Sequence, residues 1–383
     1  MSGPLSGIRV LEIAGLGAAP FCGMILADLG AEVIRVDRTH GGRVTDPGAD
    51  RDSFVDRGRR SIALNLKSPE GVAILLRLVE TSDALIEAFR PGVAERLGFG
   101  PEACLMRNEK LIYGRMTGWG QTGPLSQAAG HDLNYIATSG ALHAIGSRDA
   151  APTPPLNLVG DYGGGGMLLA IGILSAILES VRTGKGQVVD AAMNDGAAML
   201  MTEIYSQYAR GNWTNARQDN FLDGGAPFYR TYETRDGKFV SIAAIEARFY
   251  AILIEKCGIE GVPASNQWDK GSWHETCAKF EARFKEKTQK EWCLLLEGTD
   301  ACFSPVLDFE EAALHPHNKE RRTFRQLEGQ IVPAPAPRFS KHGDIALPPL
   351  GGVGSETAEL LGKLGYTQEA VSDLITRGIC SQS

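Results

Sequence analysis

His131, Asp161 and Glu246 are the side chains whose types and settings best suit proton transfer. His131 sits in Gly130-His131-Asp132-Leu133-Asn134-Tyr135, and Asp161 follows thirty positions later at the head of Asp161-Tyr162-Gly163-Gly164-Gly165-Gly166. Imidazole titrates nearer neutrality than any other side chain, and a carboxyl group becomes a proton donor when its pKa is raised. Together they can take a proton from carbon and return one. Glu246 is a third candidate, in Ala244-Ile245-Glu246-Ala247-Arg248-Phe249-Tyr250, downstream of Gly224-Gly225-Ala226-Pro227-Phe228-Tyr229. Taken singly, each has a structural explanation. His131 is one of seven histidines, Asp161 suits a helix N-cap, Glu246 suits a first turn, and Gly163 to Gly166 suit close helix packing.

The elements that must position these residues alternate in type. Ile8 to Ile13 reads as a buried strand, Phe21 to Leu29 as a helix and Glu32 to Val36 as a second strand, a βαβ unit. The turn between them, Gly15-Leu16-Gly17-Ala18-Ala19-Pro20, has two glycines of the dinucleotide fingerprint. Pro20 stands where the third belongs and Arg38 follows Asp37, which argues against NAD. Ser61 to Leu66 is strand-like, and Ser68 with Pro69 opens a helix running to about Glu80. Ala84 to Glu87 and Leu111 to Met116 are further strands, so residues 1–193 predict a Rossmann-like large domain built on a parallel sheet. Asn194 to Tyr208 reads as a helix inside a connection spanning 194–224. Residues 225–312 predict a smaller α+β domain, with a hairpin around Asp236-Gly237 and helices near 249–257, 273–287 and 290–297. Residues 313–383 return through the proline-interrupted stretch 333–337 to complete the large domain, with a surface helix over 355–364.

Composition excludes several classes. With 383 residues and a net charge of -7, the chain has no global attraction for nucleic acid or an anionic membrane, and a polyanionic ligand must meet a local basic cluster. Seven cysteines without CxxC spacing argue against a disulfide scaffold or zinc ribbon, and His315-Pro316-His317 lacks an acidic or thiol companion, so no metal site is expected. No stretch reaches eighteen consecutive apolar residues, the first residues lack a signal-peptide pattern, and Ser381-Gln382-Ser383 is not a peroxisomal address. The expectation is a soluble, cytoplasmic protein, or a peroxisomal or mitochondrial one if the source is eukaryotic.

Nearly the whole chain resembles the α-methylacyl-CoA racemase branch of the class III CoA-transferase superfamily. Gly7-Ile8-Arg9-Val10-Leu11-Glu12, Met116-Thr117-Gly118-Trp119-Gly120-Gln121-Thr122-Gly123-Pro124 and Gly184-Lys185-Gly186-Gln187-Val188-Val189-Asp190-Ala191 resemble the superfamily at large. The His131 segment, Gly224 to Tyr229, Ala244-Ile245-Glu246 and Gly298-Thr299-Asp300-Ala301-Cys302 resemble the racemase branch. An aspartate near 161 is shared with the transferases; the histidine distinguishes the branches.

The resemblance implies an α/β fold of large and small domains, an interlocked homodimer, and interconversion of (2R)- and (2S)-2-methylacyl-CoA thioesters. CoA is then part of the substrate, and no further cofactor is required. A single base would tend to restore the original hand, whereas two groups on opposite faces of a planar enolate-like intermediate invert it. His131 is assigned to the face of the S substrate and Asp161 to the other. Glu246 is assigned to orient His131, although Ala247 follows it where relatives often carry proline. The helix starting at Asp161 is expected to offer free backbone N–H groups to the thioester oxygen. The positions matching CoA contacts are Arg38, Leu64, Asn65, Leu66, Lys67, Arg90 and Arg96, with Gly130, Asp132 and Tyr135 bordering the CoA arm; guanidinium groups suit its phosphates. The alternative is a class III CoA-transferase in which Asp161 attacks the thioester as a nucleophile.

Overall fold

The computed structural model describes residues 3–40, 53–343 and 347–383. The chain folds as two compact units: Met1–Ser139, Leu156–Leu200 and Arg322–Ser383 form the first, and Gly140–Pro155 with Met201–Arg321 the second.

In the first unit the chain forms β1 (Arg9–Ile13), α1 (Ala18–Asp28), β2 (Glu32–Asp37), β3 (Arg59–Leu64), α2 (Pro69–Val79), β4 (Ala84–Glu87), α3 (Val93–Leu97), α4 (Pro101–Arg107), β5 (Ile112–Thr117) and α5 (Asp132–Thr138). After the excursion Gly140–Pro155 come a π-helical segment, Leu158–Met167, then α6 (Leu168–Thr183), β6 (Gln187–Ala192) and α7 (Met193–Leu200). The second unit holds α8 (Thr202–Ala209), β7 (Tyr229–Glu233), β8 (Phe239–Ala243), α9 (Ala247–Cys257), α10 (Lys270–Phe284), α11 (Gln289–Leu296), β9 (Phe303–Val306), α12 (Phe309–Leu314) and α13 (Pro316–Arg321). The return to the first unit adds β10 (Phe324–Leu327), β11 (Gln330–Pro333), α14 (Thr357–Lys363), α15 (Gln368–Thr376) and β12 (Cys380–Ser381).

The large sheet has the order β12-β3-β2-β1-β4-β5-β6 and is parallel except for β12 against β3. Strand order therefore reverses between β1 and β4, which opens a crevice beyond their carboxyl ends. Val10, Leu11 and Ile13 are buried, as in a strand covered on both faces. Glu12 is buried among them because the Arg59 guanidinium meets it at 3.0 Å; Arg35–Asp37 and Arg57–Asp28 are further buried pairs in the same sheet region. Ser68 Oγ accepts the Glu70 N–H with Pro69 at the first helical position, the start read from sequence.

Other boundaries move for physical reasons. α1 begins at Ala18 rather than Phe21, because Pro20 falls in the first turn, where its missing N–H costs nothing. The single helix expected over 194–208 is two, α7 and α8, and the break falls where the chain passes between units. The expected connection 194–224 is not a free linker. Buried Asn220 accepts the Thr214 N–H at 2.8 Å and donates to Ala216 O at 3.1 Å, while Arg217 donates to Ala150 O at 2.7 Å. Those bonds, with Arg148–Asp219 at 2.8 Å, also explain why residues 140–155 join the second unit.

In that unit the expected hairpin forms, with Gly237 at φ 74°, and β9 adds a third strand beside β8. Its core is aromatic, built on Phe228, Tyr232, Tyr250, Phe280, Phe284 and Trp292.

The continuous helix Leu158–Thr183 is long and apolar enough to cross a membrane, yet its glycines pack into the first unit's interior. Leu169, Ala170, Ile173 and Ala176 bury one face of it in that core.

Candidate active site

His131 and Asp161 reach the same place from different elements. His131 is the N-cap of α5, exposed, with its backbone N–H donated to Asn134 Oδ1 at 3.0 Å. Asp161 lies in the first turn of the π-helical segment, where the Tyr162 N–H bonds Asn157 O at 3.2 Å. This wide turn is rare and tends to occur at functional positions.

The glycines make it packable. A Cβ on Gly164 would lie 2.6 Å from the Ala197 nitrogen of α7, and one on Gly166 would lie 2.6 Å from Ala18 O of α1. Tyr162 stacks on Phe21 of α1 at 4.0 Å between ring centroids. Gly17, at φ 69°, closes the contact from the other side: a Cβ there would come within 3.0 Å of Asp161 Oδ2. The Gly15 turn, read in sequence as a poor dinucleotide fingerprint, is thus the shelf on which Asp161 rests.

Asp132 completes the support. Its carboxylate is buried, and Oδ2 accepts the N–H groups of both Gly160 and Asp161 at 2.7 Å. The expectation of free amides in a helix starting at Asp161 is therefore corrected: the helix starts at Leu158, the Asp161 amide is taken by an internal anion, as the positive end of the helix favours, and the Tyr162 amide by Asn157 O. Asp132, expected from the resemblance to border the CoA arm, turns its Oδ2 to these main-chain amides and is not among the residues lining the cavity described next.

A cavity of about 810 Å³ stands at the carboxyl ends of β1, β4 and β5. His131, Asp161, Gly130 and Tyr135 line it together with Gly15 to Gly17, Arg38, Phe89 to Pro91 and Thr117 to Trp119. The Tyr135 hydroxyl donates to Gly130 O, and its ring meets Trp119 edge-on at 4.9 Å. Gly118 admits that ring, since a Cβ would lie 2.1 Å from it. Burial, and then the Asp161 charge, push the Tyr135 phenol above its ordinary pKa, while Arg90 opposes them. The Tyr135 phenol thus feels both charges.

A second cavity, about 570 Å³, shares Ala14, Arg38 and Phe89 with the first. Leu64, Asn65, Leu66 and Lys67 line it at the end of β3, with His40 after β2. Arg38, Lys67 and Arg90 consequently place positive charge along adjoining cavities of an acidic protein. Arg96 is exposed on α3 and lines neither cavity. Sequence reading did not single out Phe89 as a lining residue; nothing in its spacing separates it from a core position.

Glu246 belongs to the second unit, exposed as the N-cap of α9. Gln267 fixes the preceding loop by donating to Ala244 O and Ile245 O. The Cys302 thiol is pushed up by burial and next by the Glu246 charge, which argues against a nucleophilic thiolate. Among the described residues no cluster of three metal-ligating side chains occurs.

Comparison with known proteins identifies the arrangement. Residues 5–351 match CoA-transferase family III. The chain belongs to that family. It is 45% identical over 373 residues to alpha-methylacyl-CoA racemase of Mus musculus, covering 97% of this chain and 96% of that protein. The Homo sapiens racemase is likewise 45% identical over 375 residues, with 97% and 96% covered. The solved structure of a CAIB/BAIF family protein from Brucella suis matches with a TM-score of 0.81 at 26% identity, covering 95% of this chain and all of that one. The family III fold expected from the sequence motifs is therefore the fold observed, and the crevice at its strand reversal is lined by both His131 and Asp161.

Proposed function

We propose that this protein is a racemase interconverting the (2R) and (2S) epimers of 2-methylacyl-CoA thioesters by 1,1-proton transfer. His131 removes the α proton from one face, an enolate-like planar carbon forms, and Asp161, arriving protonated, delivers a proton to the opposite face; the reverse reaction exchanges their roles. Charge balances without a redox partner: one C–H bond breaks, one forms, and the two side chains trade a proton with solvent between turnovers. Each group typically contributes about 10² to 10⁴ in rate. The observation that carries this reading is that an imidazole and a carboxyl group line a single cavity. The 45% identity to racemases across nearly the full chain supports it.

The CoA portion is proposed to occupy the adjoining cavity, its phosphates met by Arg38, Lys67 and Arg90. Resemblance assigns Glu246 to orient the imidazole. A homodimer is part of the proposal: Met167, Ile171, Leu178 and Val181 form an exposed apolar stripe on helix Leu158–Thr183, a face that association would cover.

Incubation of one epimer of a 2-methylacyl-CoA in heavy water is expected to yield both epimers carrying deuterium at the α carbon. Inversion with no isotope uptake would defeat the proposal. The transferase alternative retains one point in its favour, the Asp161 carboxyl in the cavity. Trapping an aspartyl adduct with hydroxylamine would establish it, and His131 would then have no part in the chemistry.

A further inference from the structure

The bonds around Asp132 connect the two proton-transfer segments directly. Asp132 shares a peptide bond with His131. Its Oδ2 accepts the amides of Gly160 and Asp161, both at 2.7 Å. The side chain is 6% exposed, and Oδ1 is buried with no hydrogen-bond partner. Gly160 leaves no slack, since a Cβ there would lie 2.7 Å from Asp132 Oδ2. Charge-assisted bonds of this length are among the stronger hydrogen bonds, and here two converge on one oxygen at the start of the Asp161 helix.

We propose that Asp132 is a positioning residue that locks the Asp161 segment to the His131 segment and so sets the separation of the two proton-transfer groups. The proposal rests on the racemase reading. Inversion requires both groups to reach one carbon from opposite sides, whereas exchange of the α proton with retention requires only one of them. Loosening the lock therefore impairs inversion more than exchange at the face His131 serves, because a carbanion-like intermediate that Asp161 no longer reaches is reprotonated by the imidazole. A residue that merely stabilised the fold would lower both in proportion.

The test follows α-deuterium exchange and inversion separately, from each epimer of a 2-methylacyl-CoA in heavy water, for wild type, Asp132→Ala and Asp132→Asn. In Asp132→Ala, kcat for inversion is expected to fall about 10²-fold, in line with the cost of misplacing a catalytic group by about 1 Å, while KM changes less than about threefold. The ratio of exchange to inversion at the His131 face should rise about tenfold or more. Asp132→Asn keeps an acceptor oxygen without the charge and should lie between, with inversion slowed by about tenfold and the ratio raised. An exchange-to-inversion ratio equal to that of wild type in either folded variant overturns the proposal, as does undiminished turnover in Asp132→Ala. If Asp132→Ala does not fold, the ratio in Asp132→Asn decides alone. Wild-type enzyme that neither inverts nor exchanges would instead overturn the racemase reading, and this proposal with it.

Discussion

The His131 and Asp161 segments line one cavity but are held there by different means. His131 is held locally: it caps a seven-residue helix, and its backbone N–H bonds to Asn134 three residues ahead. Asp161 is held from afar, by Gly17 after β1, Phe21 of α1, Ala197 of α7 and Asp132 of α5. His131 sits on an exposed helix tip, and Asp161 sits in a segment wedged between three helices. Any motion that admits substrate is cheaper at the former, because fewer packed contacts must be broken. The surroundings of Asp161 are fixed by packing, so a change in that packing shifts its carboxyl group.

Four substitutions test this contrast, in descending order of effect. His131→Ala and Asp161→Ala should each lower inversion by about 10² to 10⁴, measured as the rate of α-carbon inversion with folding checked by circular dichroism. Near-normal turnover in either would remove that residue from the pair and leave nothing to compare. Gly164→Ala should then expose the long-range support, since its methyl group meets backbone at 2.6 Å. A loss of about 1 to 3 kcal/mol in denaturant unfolding is expected, with activity falling as Asp161 shifts. Wild-type stability would mean that the π-helical segment yields easily.

Glu87 offers a carboxyl group buried for structural reasons, outside the cavity. Burial raises its pKa to about 7, against the opposing bond from the Phe89 N–H and the charge of Arg115. Its contribution to stability is full below about pH 4.5, where both states hold the proton, and is lost as pH rises through 7. Glu87→Gln, neutral throughout, should therefore gain about 2 kcal/mol relative to wild type at pH 8 over pH 4. Equal pH dependence of unfolding in the two proteins would contradict the assignment.

The smallest effect belongs to the local support. Asn134→Ala removes the bond to the His131 N–H and should cost about 1 kcal/mol, with inversion changed by less than about tenfold. A larger kinetic loss than that of Gly164→Ala would reverse the comparison drawn above.

Much of this was legible from the chain itself. The βαβ alternation, the Ser68-Pro69 helix start and the Asp236-Gly237 hairpin arise from local periodicity and local backbone preference, and each formed as expected within a few residues. His131 and Asp161 stood out by type and by motif, and both line the cavity. The Asp132 bonds to the Gly160 and Asp161 amides were not legible, because nothing in a sequence distinguishes a carboxylate facing a ligand from one facing a backbone amide. The order within 194–224 was not legible for a similar reason, since Asn220 is satisfied internally by neighbouring main chain that composition does not reveal.

Residue order alone determined which side chains are suited to proton transfer and which strands form, since these follow from side-chain type and spacing. Tertiary structure decided that the Gly15 turn serves Asp161 rather than a dinucleotide, and that Asp132 ties two segments together. It also decided that the Gly160 and Asp161 amides are already occupied. Each of those depends on contacts between residues far apart in the chain, where a difference of 1 Å in approach separates a hydrogen bond from none.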